Sequence, residues 1–485
     1  MFKYYNHLSF HSPYYFLNNN REIELGENFK SICDKYPNER KIDLVSIIDF
    51  INKSYFLGDR TIVKGISRSP WMSRPTSDLL SWESSDVPSH YENVLSEDAI
   101  ALELFKKICA EILEYVSEST KIGVLLSGGM DSRIVAGALD YLMKTGQISN
   151  ITVVGLTWGD INSRDVRYAK EIAFRLKWQW KHYIVTPNDF LNNINEVSLS
   201  GCEFSPIHLH ALPQIREDNN LEVILAGSYG DSIGRAEYSS IKVKNLKPIH
   251  SNFRNWSSII KNGLYSKYSK FCKTDVEYYQ NKYPQQKTYQ QYEQDYQLHY
   301  MRRMLNPCME AIGNKMQLCQ VFTNPVVFGY MWQFNPKCRN NEIYKHILGY
   351  FYTKLDDIPW ARTGIPYGAK SGVKDNFSKN NHSYNDLIRN DIYYEIEKLV
   401  LSDEIYQLGI FNMSSLKNIL RLVKSVPHKS YFYTERLSWI ASLSKAISAY
   451  NLKFDKTESN RINERITANI QVPMEFYLRK IYSEL

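Results

Sequence analysis

The sequence predicts an α/β fold built on a parallel sheet. Three observations carry that expectation. Short, almost unbroken apolar runs occur at 122–126, 151–156, 182–185 and 221–226; stretches with helical periodicity lie between them; and two glycine turns, at 127–129 and 227–230, each follow such a run directly. Strands buried on both faces lose the alternation of half-exposed strands and read as continuous apolar segments. Strands separated by helices imply parallel pairing, which leaves ligands at the carboxyl ends of the strands. Both glycine turns lie at such ends.

At 485 residues the chain is too long for one small core, and two domains with an attached remnant are expected. Hydrophobic content of 43% and charged content of 23% are ordinary for a globular protein. There is no apolar run long enough to span a membrane and no signal-peptide pattern, since the chain starts Met1-Phe2-Lys3-Tyr4-Tyr5-Asn6-His7. A soluble, cytoplasmic protein is therefore expected. The 7 cysteines are odd in number and include no C-x-x-C pair, which argues for reduced thiols rather than a disulfide framework or a structural zinc site. The net charge of +7 is too mild to specify a partner.

Taken in order, residues 1–95 offer one clear helix, Leu44 to Ile51, followed by a turn-rich stretch with Trp71 and Trp82. Residues 96–117 open on Ser96, carry Glu97 and Asp98 in the first turn and space their apolar residues by three and four, which predicts a capped helix delivering the chain to the first core strand. The run Ile122 to Leu126 is that strand, and Ile134, Val135, Leu139 and Leu142 mark a helix after the turn. Ile151 to Leu156 is a second strand, Ser163-Arg164-Asp165 opens a helix through Ala169, Ile172, Ala173 and Leu176, His182 to Val185 is a third strand and Leu221 to Ala226 a fourth. Residues 238–274 contain many lysines interleaved with aromatics, including Lys242, Lys244, Tyr238 and Trp256. A solvated insertion is the favoured reading there, with a polyanion-tracking surface as the alternative. Tyr278 to Tyr300 is expected to form a helix running into Arg302 and Arg303, residues 385–450 to form amphipathic helices ending in Leu437 to Leu443, and the charged tail from about 455 to be peripheral.

The first turn, Ser127-Gly128-Gly129-Met130-Asp131-Ser132-Arg133, has the makings of a phosphate cradle. Its glycines let the backbone approach an anion, and the first helical turn offers free N–H groups. An acid in such a place needs a cation between it and the phosphate, which fits Asp131 as a Mg²⁺ ligand; Ser127 and Ser132 add hydroxyls. The G-x-x-x-x-G-K-[ST] pattern of a Walker loop is missing.

This stretch resembles the S-G-G-x-D-S loop of the N-type ATP pyrophosphatases, the HUP-like, adenine nucleotide α-hydrolase-like fold, and within them the asparagine synthetase-like family. The resemblance runs over roughly 40–450, strongest at 122–185 and 221–232. It implies three segments: 1–95, a reduced glutaminase-like remnant; 96–380, the ATP pyrophosphatase synthetase domain; and 381–485, a C-terminal helical region. The family's glutaminase uses a cysteine at the second codon; Phe2 stands here, so glutamine hydrolysis is not expected. The family's later loop, often G-E-G-x-D-E, implies that Asp231 is a second Mg²⁺ ligand facing Asp131, while Ser228 and Ser232 replace its two glutamates. Loss of the first glutamate puts the usual handling of an amine's proton in doubt. The resemblance further implies that Leu126, Ser127, Gly128, Gly129, Asp131, Ser132, Leu156, Gly227 and Gly230 bind ATP, that Arg362, in Ile358 to Pro366, stands where the family places a cation on the adenylate, and that Arg133 adds a phosphate contact. It implies an amide-forming ligase using ATP and Mg²⁺, with a small-molecule or peptide carboxylate as substrate and ammonia or an amine as donor, supplied free or by a partner glutaminase. A membrane has no place in this reading, nucleic acid is not expected, and a tRNA-modifying enzyme or a non-catalytic ATP-binding relative are the alternatives.

Overall fold

From Ile122 to Leu126 the chain carries only apolar side chains or glycine, and this run forms the middle of a five-stranded sheet. The computed structural model describes residues 12–84, 90–218, 220–243, 246–313, 315–369, 371–372, 375–426, 431–454 and 461–484. Phe2, Lys244 and the start of the tail at 455–460 lie outside the described residues. The strands are β1 (Lys121–Leu125), β2 (Thr152–Trp158), β3 (Gln179–Tyr183), β4 (Val223–Ala226) and β5 (Gln317–Gln320). They pair in parallel in the order β5-β4-β1-β2-β3. Ile122 and Val124 face one core with Val223, Leu225 and Cys319, and Leu125 faces the other with Leu156, Ile224 and Ala226. Burial on both faces is why these strands read as apolar runs.

The chain leaves β1 toward β2 and β3, then returns to place β4 on the other side of β1. The sheet therefore has its switch point between β1 and β4, where the crevice at the carboxyl ends opens. Leu125 stands opposite both Leu156 and Ala226, so the turns after β1, β2 and β4 emerge at one level.

Helices follow the expected pattern. Glu97–Val116, Met130–Lys144 and Arg164–Arg175 form where periodicity placed them, the last with Ser163 accepting a hydrogen bond from the Val166 backbone. Ser96 stands at the N-cap of Glu97–Val116 but makes no capping bond with its side chain. Several strand ends differ from the expectation by two or three residues, and two larger differences stand out. The third strand begins at Gln179 rather than His182, because pairing with Val154 to Trp158 extends it through polar residues. The fifth strand, with polar Gln317 and Gln320, is missing from the expectation because it is an edge strand without an apolar run. The stretch 278–300 is broken at 283–287, giving Thr274–Lys282 and Thr288–Asp295, and then widens into a π-helix over Tyr296–Leu305.

At the start of the chain, Tyr14–Leu17, Ile23–Gly26 and Ser67–Arg68 form a small antiparallel sheet, and Asp43 caps the helix Leu44–Lys53. This segment shares one apolar core with the C-terminal helices. Phe50 stacks on Trp439 with ring centroids 4.0 Å apart, and the indole N–H of Trp439 donates to the Cys202 carbonyl at 2.8 Å. Ion pairs join the same segment to the chain around residue 203 and to the π-helix: Glu203 accepts from Arg68 at 2.7 Å and also from Arg303 at 3.1 Å, and Asp59 accepts from Arg302 at 2.7 Å. The tail is not peripheral as expected, since Ala468, Val472 and Phe476 on the helix Arg461–Glu484 are buried. Phe476 stacks on Tyr433 at 5.1 Å. Among the described residues no helix is long and apolar enough to cross a membrane.

Because Trp439 is fully buried and holds both ends of the chain in one core, Trp439→Ala should lower the stability by about 3–5 kcal/mol. Urea unfolding followed by far-UV circular dichroism measures it, and a loss below about 1 kcal/mol would mean that the shared core is not cooperative with the sheet.

Candidate functional site

The turn after β1 leads into the helix Met130–Lys144, whose N-cap is Gly129 and whose first N–H groups receive no capping side chain. Such an end is an anion site. Ser127 and Ser132 hold the turn closed: their hydroxyls lie 3.0 Å apart, and the Gly129 N–H donates to the Ser127 hydroxyl at 3.1 Å. The side chains of Leu126 and Leu156 are buried in the cores, so neither reaches a ligand except through its backbone. The Leu156 carbonyl is already engaged by the Leu126 N–H at 2.8 Å.

The turn after β4 packs directly on the first. A Cβ at Gly227 would lie 2.6 Å from the Asp131 carbonyl carbon, and one at Gly230 would lie 2.5 Å from Asp131 Oδ1. Only glycine permits this approach. It sets Asp131 against the turn that carries Asp231, close enough for the two charges to interact. Burial, and then the charge of Asp131, raise the Asp231 pKa to about 6. Ser232 does not face the anion site; its hydroxyl accepts from Gln297 on the π-helix.

Among the described residues no three His, Cys, Asp or Glu side chains form a metal cage. Two neighbouring carboxylates beside an open helix N-terminus match the donor set of Mg²⁺, which takes one or two carboxylates and completes its shell with phosphate and water. Asp131 and Asp231 fit that ion by donor type and by their mutual repulsion.

The segment 358–366 closes on the first turn. Ala361 N–H donates to the Gly128 carbonyl at 3.1 Å, which places Arg362 next to the site. The Arg362 guanidinium is half exposed, lies 4.7 Å from the centre of the Trp360 ring and forms a fork on Glu237 at 2.9 and 2.7 Å. Arg133 is the clear correction. It does not point to the anion site but is wholly buried, donating to the carbonyls of Ile358 at 2.7 Å, Pro359 at 2.8 Å, Leu355 at 3.1 Å and Gly128 at 3.3 Å. Burial, and then the nearby charge of Arg175, lower its pKa to about 9. Position after the loop suggested phosphate; in fact the helix turns this side chain inward, where it fastens the 355–359 segment to the cradle.

Three residues at the site escaped the sequence reading. Arg235 donates to both oxygens of Asp131, at 3.0 and 3.3 Å, and also pairs with Glu237. Asp165, in the first turn of Arg164–Arg175, has its pKa raised by burial and partly restored by a hydrogen bond from the Gly128 backbone. Arg235 and Glu237 lie four and six residues past Asp231, in a stretch without periodicity or a known pattern, so nothing local marked them. In the basic stretch, Lys242 bonds to the carbonyls of Arg235 and Arg339, so this lysine braces the site rather than tracking a polyanion.

Arg133→Met should cost about 2–4 kcal/mol in urea unfolding, because three backbone carbonyls of 355–359 lose their buried partner. An unchanged midpoint would exclude the clamp. Asp231 provides a pH test. Its folded pKa of about 6 exceeds the usual carboxylate value of 3.8, so the folded chain binds the extra proton and loses stability as pH rises from 3.8 through 6. Asp231→Asn should therefore be more stable than wild type at pH 8, by roughly 1–2 kcal/mol after solvent screening, and equal to it near pH 3. A pH-independent difference would refute the shift.

The asparagine synthase family matches residues 114–305, which covers both glycine turns and four of the five strands. No match is found among the curated proteins compared. Among solved structures, a U34-tRNA thiolase, NcsA, from Methanococcus maripaludis with its [4Fe-4S] cluster is similar at 17% identity over 30% of this chain and 50% of that one, with a TM-score of 0.23. An NMN synthetase from Francisella tularensis is similar at 19% identity over 30% of this chain and 59% of that one, with a TM-score of 0.20. The chain thus spans little more than half the length of these structures. Residues 114–305 form an asparagine synthase-family domain.

Proposed function

We propose that this protein is an ATP-dependent, AMP-forming ligase that activates a carboxylate and joins it to an amine or to ammonia. The observation that supports this most is the meeting of Asp131 and Asp231, from two glycine turns at the sheet's switch point, beside an uncapped helix N-terminus. In this reading Asp131 and Asp231 hold Mg²⁺, which when bound would screen the charge between the carboxylates and the phosphates. The N–H groups at the start of Met130–Lys144, with Ser127 and Ser132, bind the pyrophosphate group. A substrate carboxylate oxygen attacks the α-phosphorus, the bond to the β-phosphate oxygen breaks, and pyrophosphate leaves into the cradle. Arg362, on leaving Glu237, stabilises the negative charge that develops at the α-phosphate. An amine then attacks the acyl carbon and AMP departs. Its proton needs an acceptor other than a glutamate in the second turn, since Ser228 and Ser232 stand there.

The donor is ammonia or an amine, taken from solution or from a partner glutaminase. All seven cysteines are buried and free, which weighs against sulfur-transfer chemistry of the tRNA-modifying kind. A non-catalytic ATP-binding role is the remaining alternative, and product analysis separates it from a ligase.

The test is to supply ATP, Mg²⁺ and panels of acids and amines and to identify the products. AMP and pyrophosphate are expected; ADP and phosphate would exclude the mechanism. Asp131→Ala should abolish Mg²⁺-dependent ATP binding in calorimetry without changing the circular dichroism. Arg362→Ala should slow turnover by roughly 10²–10³ while leaving ATP binding largely intact.

A further inference from the structure

Arg235 is not assigned a role in the reaction proposed above, and Glu237 enters it only by letting go of Arg362, yet both pack beside Asp131 and Arg362. The Arg235 side chain is only 2% exposed. One arm of its guanidinium spans both oxygens of Asp131, at 3.0 and 3.3 Å, and the other donates to Glu237. Glu237 in turn carries the fork to Arg362. The result is a chain of alternating charge, Asp131–Arg235–Glu237–Arg362, that starts on the metal ligand and ends on the cation meant for the α-phosphate. Both guanidinium groups lie over the Trp360 ring, at 5.6 and 4.7 Å from its centre.

The two ends of this chain are not equivalent. Arg235 is buried, so its charge requires carboxylate partners; burial opposes its ionisation, and Asp131 together with its other neighbours, Glu237 among them, more than compensates. The Arg362 side chain is 51% exposed, so its pair with Glu237 is screened and readily exchanged for another anion. A divalent cation on Asp131 would stand a few ångströms from the Arg235 guanidinium and repel it. Arg235 already touches a second carboxylate that compensates for the loss of Asp131, namely Glu237. A Glu237 carboxylate drawn fully onto Arg235 would hold Arg362 less firmly.

We propose that Arg235 is an internal counter-ion that holds Asp131 until Mg²⁺ and nucleotide replace it, and that Glu237 then takes up Arg235 and releases Arg362. Arg235 and Glu237 are thus positioning residues: they keep two facing carboxylates tolerable in the empty site and tie the arrival of the metal to the freeing of Arg362. The proposal rests on the assignment of Asp131 as a metal ligand, and its test separates the two.

Mn²⁺ binding to the nucleotide-free protein, read by the loss of the free-ion paramagnetic resonance signal, is the measurement. Arg235→Lys keeps the charge but cannot bridge Asp131 and Glu237 as a planar fork. It should bind Mn²⁺ about tenfold or more tightly than wild type, as should Arg235→Gln. Asp131→Asn should remove the binding in every background. If Asp131→Asn binds Mn²⁺ normally, the metal assignment itself falls. If Asp131→Asn abolishes binding but Arg235→Lys matches wild type, the metal assignment stands and the counter-ion is overturned, because only a general field effect is left. A second measurement needs no buried substitution: Mg²⁺ with ATP should change the emission contributed by Trp360, obtained as the difference between wild type and Trp360→Phe. No change on ATP binding would overturn the release of Arg362.

Discussion

Two carboxylates held against each other in a buried crevice are unstable unless a cation lies between or beside them. Much of this site follows from that constraint. The backbone of the second turn touches Asp131 at Gly227 and Gly230, where no side chain fits, so the turn that carries Asp231 packs against Asp131. Arg235 is the cation the chain itself provides, and Glu237, Arg362 and Trp360 are arranged around it. An ordinary anion-binding turn needs none of these acids. Their presence beside an open helix end is what turns a phosphate cradle into a candidate metal–phosphate site.

The cradle is in turn held from outside. Arg133 fastens the 355–359 backbone to Gly128, and the Ala361 N–H completes the attachment. The 358–366 segment therefore sits over the anion site as part of the packed structure rather than as a free loop. Further out, the first strands and helices of the chain and the C-terminal helices close one core around Phe50 and Trp439, with Glu203 and Asp59 accepting from three buried arginines. Glu237 is the acid at which the two guanidinium groups of Arg235 and Arg362 meet.

By itself the sequence determined the parallel sheet, the two glycine turns and the pairing of an acid with each. Those features have local causes: strands buried on both faces must be apolar over their whole length, and turns that press against other backbone must be glycine. The edge strand Gln317–Gln320 was not legible, because its partner on one side supplies the pairing and its own residues are polar. Although the resemblance implied that Asp231 faces Asp131, only the tertiary structure decided how: β1 and β4, about a hundred residues apart, are neighbours in the sheet. It alone decided that Arg133 turns inward to backbone carbonyls while Arg235 turns to Asp131. A guanidinium can satisfy carbonyls, carboxylates or phosphates with the same donors, so residue type leaves its partner open. What settles it is which acceptors the packed chain brings within reach.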